Sequence, residues 1–146
     1  MRIKQFFHYV SYLQYPLVIV ALYLTIKPVL NNEELAIGDF STVLMLMGIS
    51  ISFSTLQDTT KTQNKMSKRI WQSARKGKIA IAVFSLFAGF MIVNGFWGYM
   101  TAESSEFKEL HMGLMVLGIS FIGLLKASIE MFENHRLDKN PVVESQ

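Results

Sequence analysis

The chain has 146 residues, of which 51% are hydrophobic and 17% are charged, whereas roughly a quarter of the residues in a globular domain are charged. It contains no cysteine, which excludes disulfides, thiolate nucleophiles and cysteine-ligated metals. The formal net charge is only +3, and the basic residues cluster instead of covering the surface. This composition predicts one membrane domain over residues 1–146 and argues against nucleic-acid binding.

Four apolar segments have the length that a bilayer core of about 30 Å requires, which is roughly 20 residues of helix. They lie at about 9–26, 40–56, 79–100 and 110–129. The third has no polar face, which excludes a soluble bundle. Gln14 and Pro16 interrupt the first and three spans follow it, which argues against a signal peptide. We therefore expect an all-α integral membrane four-helix bundle, built as two tandem transmembrane hairpins.

The distribution of Lys and Arg predicts the orientation of these hairpins. Of the 14 Lys and Arg residues, all except Lys27 and Lys108 lie before the first span, in the connection 57–78, or from Lys126 onward. Cytoplasmic segments carry such an excess of Lys and Arg. Both termini, the connection 57–78 and the tail 130–146 are therefore expected in the cytoplasm of a bacterium, with the protein multi-pass in its cytoplasmic (inner) membrane.

Two heptads resemble each other: LMLMGIS at 44–50 and LMVLGIS at 114–120. They fall on the returning helix of each hairpin, so either a duplication or the limited alphabet of membrane helices explains them. Small residues let helix backbones approach closely in lipid, within one chain or between copies. Close helix packing is expected at the small residues of these and neighbouring turns, which are Gly48, Ser52, Ser85, Gly89, Gly118 and Gly123.

Polar side chains at membrane depth form a second set of candidate functional residues. The set consists of Gln14, Ser50, Ser54, Asn94 and Ser120. Hydrogen bonds between helices are the expected role, and Asn94 is the expected contact of the third span. The alternative is that Gln14, Ser50 and Ser54 line a narrow polar path in an oligomer.

The connection before the third span is rich in cations. On one continuous helix, Met66, Ile70 and Ala74 would form an apolar stripe, and basic residues would occupy the remaining surface. Such a segment suits contact with anionic lipid headgroups, although positive-inside topology alone also demands cations here. The expected headgroup contacts are Lys65, Lys68, Arg69, Trp71, Arg75 and Lys76.

Signals for catalysis or cofactor binding are weak. His8, His111 and His135 do not fall at one depth on facing helices, as a bis-histidine haem requires. Glu109 and His111 offer two ligands for a divalent cation, but carboxylates in such a loop are more often solvated. Hydrolase motifs and phosphate-binding loops are absent from the sequence. We expect no enzyme activity, no cofactor and no metal.

The second hairpin reads NGFWGYM, then the acidic turn TAESSEFKEL, then a helix ending in SIEMFENHR. This pattern, with the first hairpin, is similar to the small bacterial YiaA/YiaB inner-membrane family over about Tyr15 to Arg136. The resemblance implies a membrane protein of unassigned function and carries no site residues. The expected function is a non-enzymatic accessory or scaffold protein that packs with itself or a larger membrane complex and contacts anionic lipid. The alternative is a small oligomeric channel or transporter with a serine-lined path.

Overall fold

The computed structural model describes residues 3–32, 36–60 and 65–139. Within these ranges every regular element is a helix. The predicted cytoplasmic Arg2 and the last part of the tail, 140–146, lie outside them. The helices are α1 (Ile3–Ser11), α2 (Gln14–Asn31), α3 (Ile37–Ser54), α4 (Lys65–Trp71), α5 (Ala74–Thr101) and α6 (Ser105–His135).

Four helical segments are long and apolar enough to cross a membrane: Gln5–Asn31, Ile37–Ser54, Ala74–Thr101 and Ser105–His135. The expectation of an all-helical chain with four candidate membrane spans is thus confirmed. The third and fourth of these segments, α5 and α6, begin before the apolar stretches in the sequence, and a serine caps the start of each. Ser73 accepts a hydrogen bond from the backbone N–H of Lys76, and Ser104 accepts one from that of Phe107.

The first span is divided into two helices. α1 ends at Ser11, whose hydroxyl donates to the carbonyl of His8 at 2.7 Å, and α2 begins at Gln14. Pro16 lies in the first turn of α2, where a helix N–H has no acceptor within the helix. The proline therefore starts the long helix at little cost, and its position explains why the span is interrupted at this end.

The four long helices pack in the order α2, α3, α6, α5. α3 lies between α2 and α6, and α5 packs along α6. Within the described residues α2 has no comparable contact with α5 or α6. The arrangement is therefore an open row, in which α2 and α5 each have one long neighbour, whereas a closed bundle would bring α2 and α5 together.

The centre of the row is the contact between α3 and α6. The hydroxyl of Ser41 donates to the carbonyl of Glu109 at 2.7 Å, and that of Ser52 donates to the hydroxyl of Ser120 at 3.1 Å. Each pair is separated by 68 residues, so the two helices run parallel. A Cβ added to Gly48 would lie 3.2 Å from the backbone N and Cα of Leu117, so the backbones approach as closely as glycine permits.

The two similar heptads meet in this contact but have different partners. A Cβ on Gly48 would lie 3.1 Å from the Ser120 hydroxyl, which belongs to the other heptad. The equivalent glycine, Gly118, faces α5 instead, where a Cβ would lie 3.0 Å from the backbone N of Ile92. The repeat therefore supplies one glycine to the contact between hairpins and the other to the contact within the second hairpin.

Replacement of Gly48 by Leu tests the central contact. We expect Gly48→Leu to lower the free energy of unfolding by about 1–3 kcal/mol, the usual cost of overpacking, because the backbone of Leu117 cannot move aside as a flexible side chain does. Gly38→Leu is the matched control on the same helix, since a Cβ there meets no atom within 4 Å. The measurement is unfolding in detergent micelles, and equal stability of the two variants would contradict the packing described.

Candidate functional site

The basic connection is interrupted, and the continuous helix that its pattern suggested is not formed. α4 ends at Trp71, and Ser73 then caps α5, so Arg75 and Lys76 belong to the first turn of α5. The apolar stripe also differs, because Met66 is 72% exposed. Ser67 and Ile70 are the half-buried residues of α4 and Trp71 is buried, so the inward face of α4 begins one residue later than the pattern suggested.

The described cations of this connection lie on the surface, whereas Lys61 is outside the described residues. Lys65, Lys68, Arg69, Arg75 and Lys76 are all exposed. In the part of the chain that the structure describes, none of them forms an ion pair. No acidic residue occupies the first turn of α5, where the helix dipole is positive. Five exposed cations without an ion pair in the described chain therefore cluster at this end, which also carries Glu130, Glu133 and Asp138 on and after α6.

Trp71 does not share the surface with these cations. Its side chain is only 8% exposed, and the ring lines a cavity of about 570 Å³ beneath α4. The indole is large and mostly apolar, so its burial on the inward face of α4 stabilises the fold more than its exposure to water would. The expectation that Trp71 contacts headgroups together with the lysines is therefore revised to contact with the interior of this cavity.

The cavity beneath α4, called the α4 cavity from here on, fills the gap that the open row leaves. Residues 14–19 of α2 line one side, and Phe84 of α5 together with residues 124–131 of α6 line the other. The end of α3, the link that follows it and α4 complete the lining. The lining residues are Gln14, Tyr15, Val18, Ile19, Ser54, Gln57, Thr59, Ser67, Trp71, Phe84, Leu124, Ala127, Ser128 and Met131.

The α4 cavity changes from polar to apolar along its length. Gln57, Thr59 and Ser67 lie in or beside the connection between the hairpins, at the charged end of the molecule. Val18, Phe84 and Leu124 lie further along their helices, away from the charged end. None of the lining residues is charged. The cavity is suited to a molecule with a neutral polar part at one end and an apolar part at the other.

The serine hydroxyls predicted at membrane depth donate hydrogen bonds to backbone carbonyls of helices. Ser50 donates to the carbonyl of Gln14 at 3.0 Å, which joins α3 to α2. Ser54 donates to Ile51 at 2.8 Å and Ser120 donates to Val116 at 2.8 Å, both within their own helices. The structure brings Gln14 and Ser54 together at the α4 cavity, whereas Ser50 and Ser120 are buried between helices.

Asn94 makes its hydrogen bond within its own helix. Its side-chain NH₂ donates to the carbonyl of Phe90 at 2.8 Å, and the residue is exposed on α5. The sequence indicated an amide that needs a partner in lipid, and a carbonyl one turn away supplies it. The expected contact between the third span and another helix therefore does not occur at Asn94 in the described chain.

The predicted packing residues fall into two groups. Gly48, Ser52, Gly118 and Gly123 contact a neighbouring helix or its end, the last of them beside Thr55. Ser85 and Gly89 do not: Ser85 donates to the carbonyl of Ile81 on its own helix, and a Cβ at Gly89 would meet no atom within 4 Å. The second group is a small-residue pair on the outer surface of the row.

Arg136, which the sequence suggested only as a topology signal, fixes the end of α6. Its guanidinium donates to Glu133 at 3.0 Å and to Asp138 at 2.8 Å and lies 4.8 Å from the ring centre of Phe132. The hydrogen bond from Arg136 lowers the pKa of the Asp138 carboxyl to about 2, so this pair stays ionised at physiological pH. The spacing of Glu133 and Arg136 on one helix face was the signal available in the sequence.

The end of α6 is also joined to the start of α5. Phe132 packs on Gly77, where a Cβ would overlap its ring, and the N–H of Leu137 donates to the carbonyl of Gln72 at 3.2 Å. These contacts hold α6 against the short link between α4 and α5. The cavity-lining residues Trp71 and Met131 adjoin these contacts in sequence, at the charged end of the molecule.

The three histidines lie apart from one another. His8 is within 3.3 Å of the Tyr12 hydroxyl, and the ring of His111 packs against Gly98 on the second hairpin. In residues 3–32, 36–60 and 65–139, no group of three or more His, Asp or Glu side chains is placed to hold a metal ion. The α4 cavity and the exposed cations of the connection are the candidate site that the described residues form.

Comparison with known proteins finds no family model, curated protein or solved structure that matches the chain.

Proposed function

We propose that this chain is a non-enzymatic accessory or scaffold protein of the bacterial cytoplasmic membrane, with both termini in the cytoplasm. It contacts anionic lipid through its basic end and packs with itself or with a larger membrane complex. The observation that carries the proposal is a set of exposed cations that form no ion pair in the described chain, at one end of four candidate spans, namely Lys65, Lys68, Arg69, Arg75 and Lys76.

Electrostatics supports the lipid contact. Each Lys or Arg near an anionic membrane surface contributes about 1 kcal/mol of attraction. At the start of α5, Arg75 and Lys76 face the positive end of the helix dipole, which is unfavourable in isolation. Lipid phosphates beside this turn supply the missing negative charge. The cytoplasmic leaflet is the anionic surface that such an end would meet.

The outer surface of α5 supports packing with another chain. Ser85 and Gly89 make no contact with another described helix, and the large apolar residues around them, such as Leu86 and Val93, are exposed. In lipid a helix with a small-residue pair on its outer face can approach a second helix closely. A second copy of this chain, or a helix of a larger complex, suits this surface.

The alternative of a channel or transporter depends on a polar path through the spans. Gln14 and Ser54 line the α4 cavity, but that cavity occupies only the charged end of the row. The hydroxyls of Ser50, Ser52 and Ser120 are engaged between helices. The accessory role therefore has the stronger support.

Removal of charge from α4 tests the lipid contact. In nanodiscs that contain phosphatidylcholine and phosphatidylglycerol, we expect Lys65→Gln with Lys68→Gln to reduce the phosphatidylglycerol retained per protein, as counted by native mass spectrometry. Each neutralised lysine should weaken retention about fivefold, from its share of about 1 kcal/mol. The matched control neutralises Lys27 and Lys108, which lie at the other end. Equal retention in the two double variants would contradict the proposal.

Replacement of Gly89 tests self-packing. We expect Gly89→Leu to lower energy transfer between donor- and acceptor-labelled copies in liposomes, while thermal stability stays unchanged, because a Cβ there meets no atom of the same chain. Gly38→Leu, equally free of contacts within the chain, is the control and should leave energy transfer unchanged. If the parent protein shows no energy transfer above the random level, self-packing is wrong and a helix of another protein is left as the partner.

A further inference from the structure

We propose that the α4 cavity binds one anionic phospholipid, with an acyl chain in the cavity and the phosphate at the cations of α4. This inference deepens the proposed function and rests on it, because it turns a general surface attraction into one defined lipid site. The occupant is a membrane lipid that enters from the gap between α2 and α5, the open side of the row.

The polarity of the lining matches the order of groups along a phospholipid. Val18, Phe84 and Leu124 surround the part that lies along the spans, where an acyl chain belongs. Gln14 and Ser128 come nearer the charged end and offer amide and hydroxyl donors to the ester carbonyls. The apolar end of the cavity points toward the middle of the spans, so a lipid in the bilayer enters without reversing its direction.

The charge pattern places the headgroup outside the cavity. The lining contains no charged residue, so a phosphate inside it would be desolvated without a counter-ion, which is costly. Ser67 and Trp71 of α4 line the cavity, and the exposed Lys68 and Arg69 lie between them in sequence. A phosphate at the mouth of the cavity would therefore lie beside the helix that carries these cations, with Lys68 nearer the lining face than Arg69. This arrangement favours an anionic lipid over a neutral one.

The volume is consistent with one chain and its glycerol ester. The cavity measures about 570 Å³, within the range of roughly 300–1,000 Å³ that is usual for small-molecule sites. A complete two-chain lipid is larger, so its second chain lies outside, along the exposed apolar surface of α2, where Leu22 is 48% exposed. The site thus holds a lipid that remains part of the bilayer.

Tryptophan fluorescence provides a direct test because the chain has two tryptophans in contrasting positions. Trp71 lines the α4 cavity, whereas Trp97 is 71% exposed near the other end of α5. In a Trp97→Phe protein the emission comes from Trp71 alone. The probes are phosphatidylglycerol and phosphatidylcholine, each brominated on an acyl chain near the glycerol, in nanodiscs of otherwise unbrominated lipid. Bromine quenches tryptophan on contact.

The expected result is that brominated phosphatidylglycerol at low mole fraction quenches Trp71 at least several-fold more strongly than brominated phosphatidylcholine at the same fraction. Ala127→Phe places a ring in the cavity and should remove most of this quenching. Ala82→Phe is the matched control on the exposed face of α5 and should leave it unchanged. Lys68→Gln with Arg69→Gln should reduce the preference for phosphatidylglycerol roughly tenfold or more while Trp71 stays accessible to chains.

Four outcomes would overturn the inference, and they separate it from the proposed function. Retention of phosphatidylglycerol without quenching of Trp71 leaves the surface contact standing and eliminates the cavity site. Equal quenching by the two lipids, unchanged by the α4 substitutions, means that the cavity admits any acyl chain and the anionic assignment is wrong. If phosphatidylglycerol is not retained and does not quench Trp71, both proposals are wrong. Quenching that Ala127→Phe does not change would place the lipid outside the cavity.

Discussion

The parallel contact between α3 and α6 determines the rest of the architecture. Gly48 allows the backbone of α3 to approach that of α6 at Leu117, and hydroxyls at Ser41 and Ser52 bridge the two helices. In lipid there is little hydrophobic drive between helices, so this close packing and these hydrogen bonds hold the two hairpins together. Because each hairpin contributes its returning helix to the contact, the outgoing helices α2 and α5 are left at the two ends of the row.

The open row has a direct consequence for function. A closed bundle would pack α2 against α5, but here the space between them at the charged end is the α4 cavity. The contacts of Phe132 with Gly77 and of Leu137 with Gln72 hold α6 and the link before α5 together beneath this space. The cavity is therefore a product of the helix order, and the short helix that contributes Ser67 and Trp71 to its lining also carries exposed cations. Structure and charge thus lead to the same proposal of a lipid-facing end.

Hydropathy was sufficient to locate the four spans, because the backbone in lipid must form continuous helix and few other segments are apolar enough. The ends of the helices were less predictable: the caps at Ser73 and Ser104 extend α5 and α6 into polar sequence. The partner of each glycine was not predictable either. Gly48 and Gly118 occupy equivalent places in similar heptads yet face different helices, since several faces of each helix carry small residues and only the assembled row selects among them.

The basic segment shows a similar limit. Its described cations are exposed, as expected. The helical stripe through Met66 was wrong, because Met66 is exposed and α4 buries Trp71 instead, and a new helix then begins after Ser73. The cavity could not be predicted from the sequence, because its lining comes from five helices and one link and consists of uncharged polar and apolar residues.

Disulfide cross-linking tests the central contact most directly, because the chain has no cysteine of its own. The hydroxyls of Ser52 and Ser120 are 3.1 Å apart, so cysteines at both positions should form a disulfide within one chain when isolated membranes are oxidised. Cysteines at Ser52 and Ser85 are the matched control and should stay reduced within the chain, since α6 separates α3 from α5. A disulfide between positions 52 and 85, with none between 52 and 120, would contradict the parallel packing of α3 on α6.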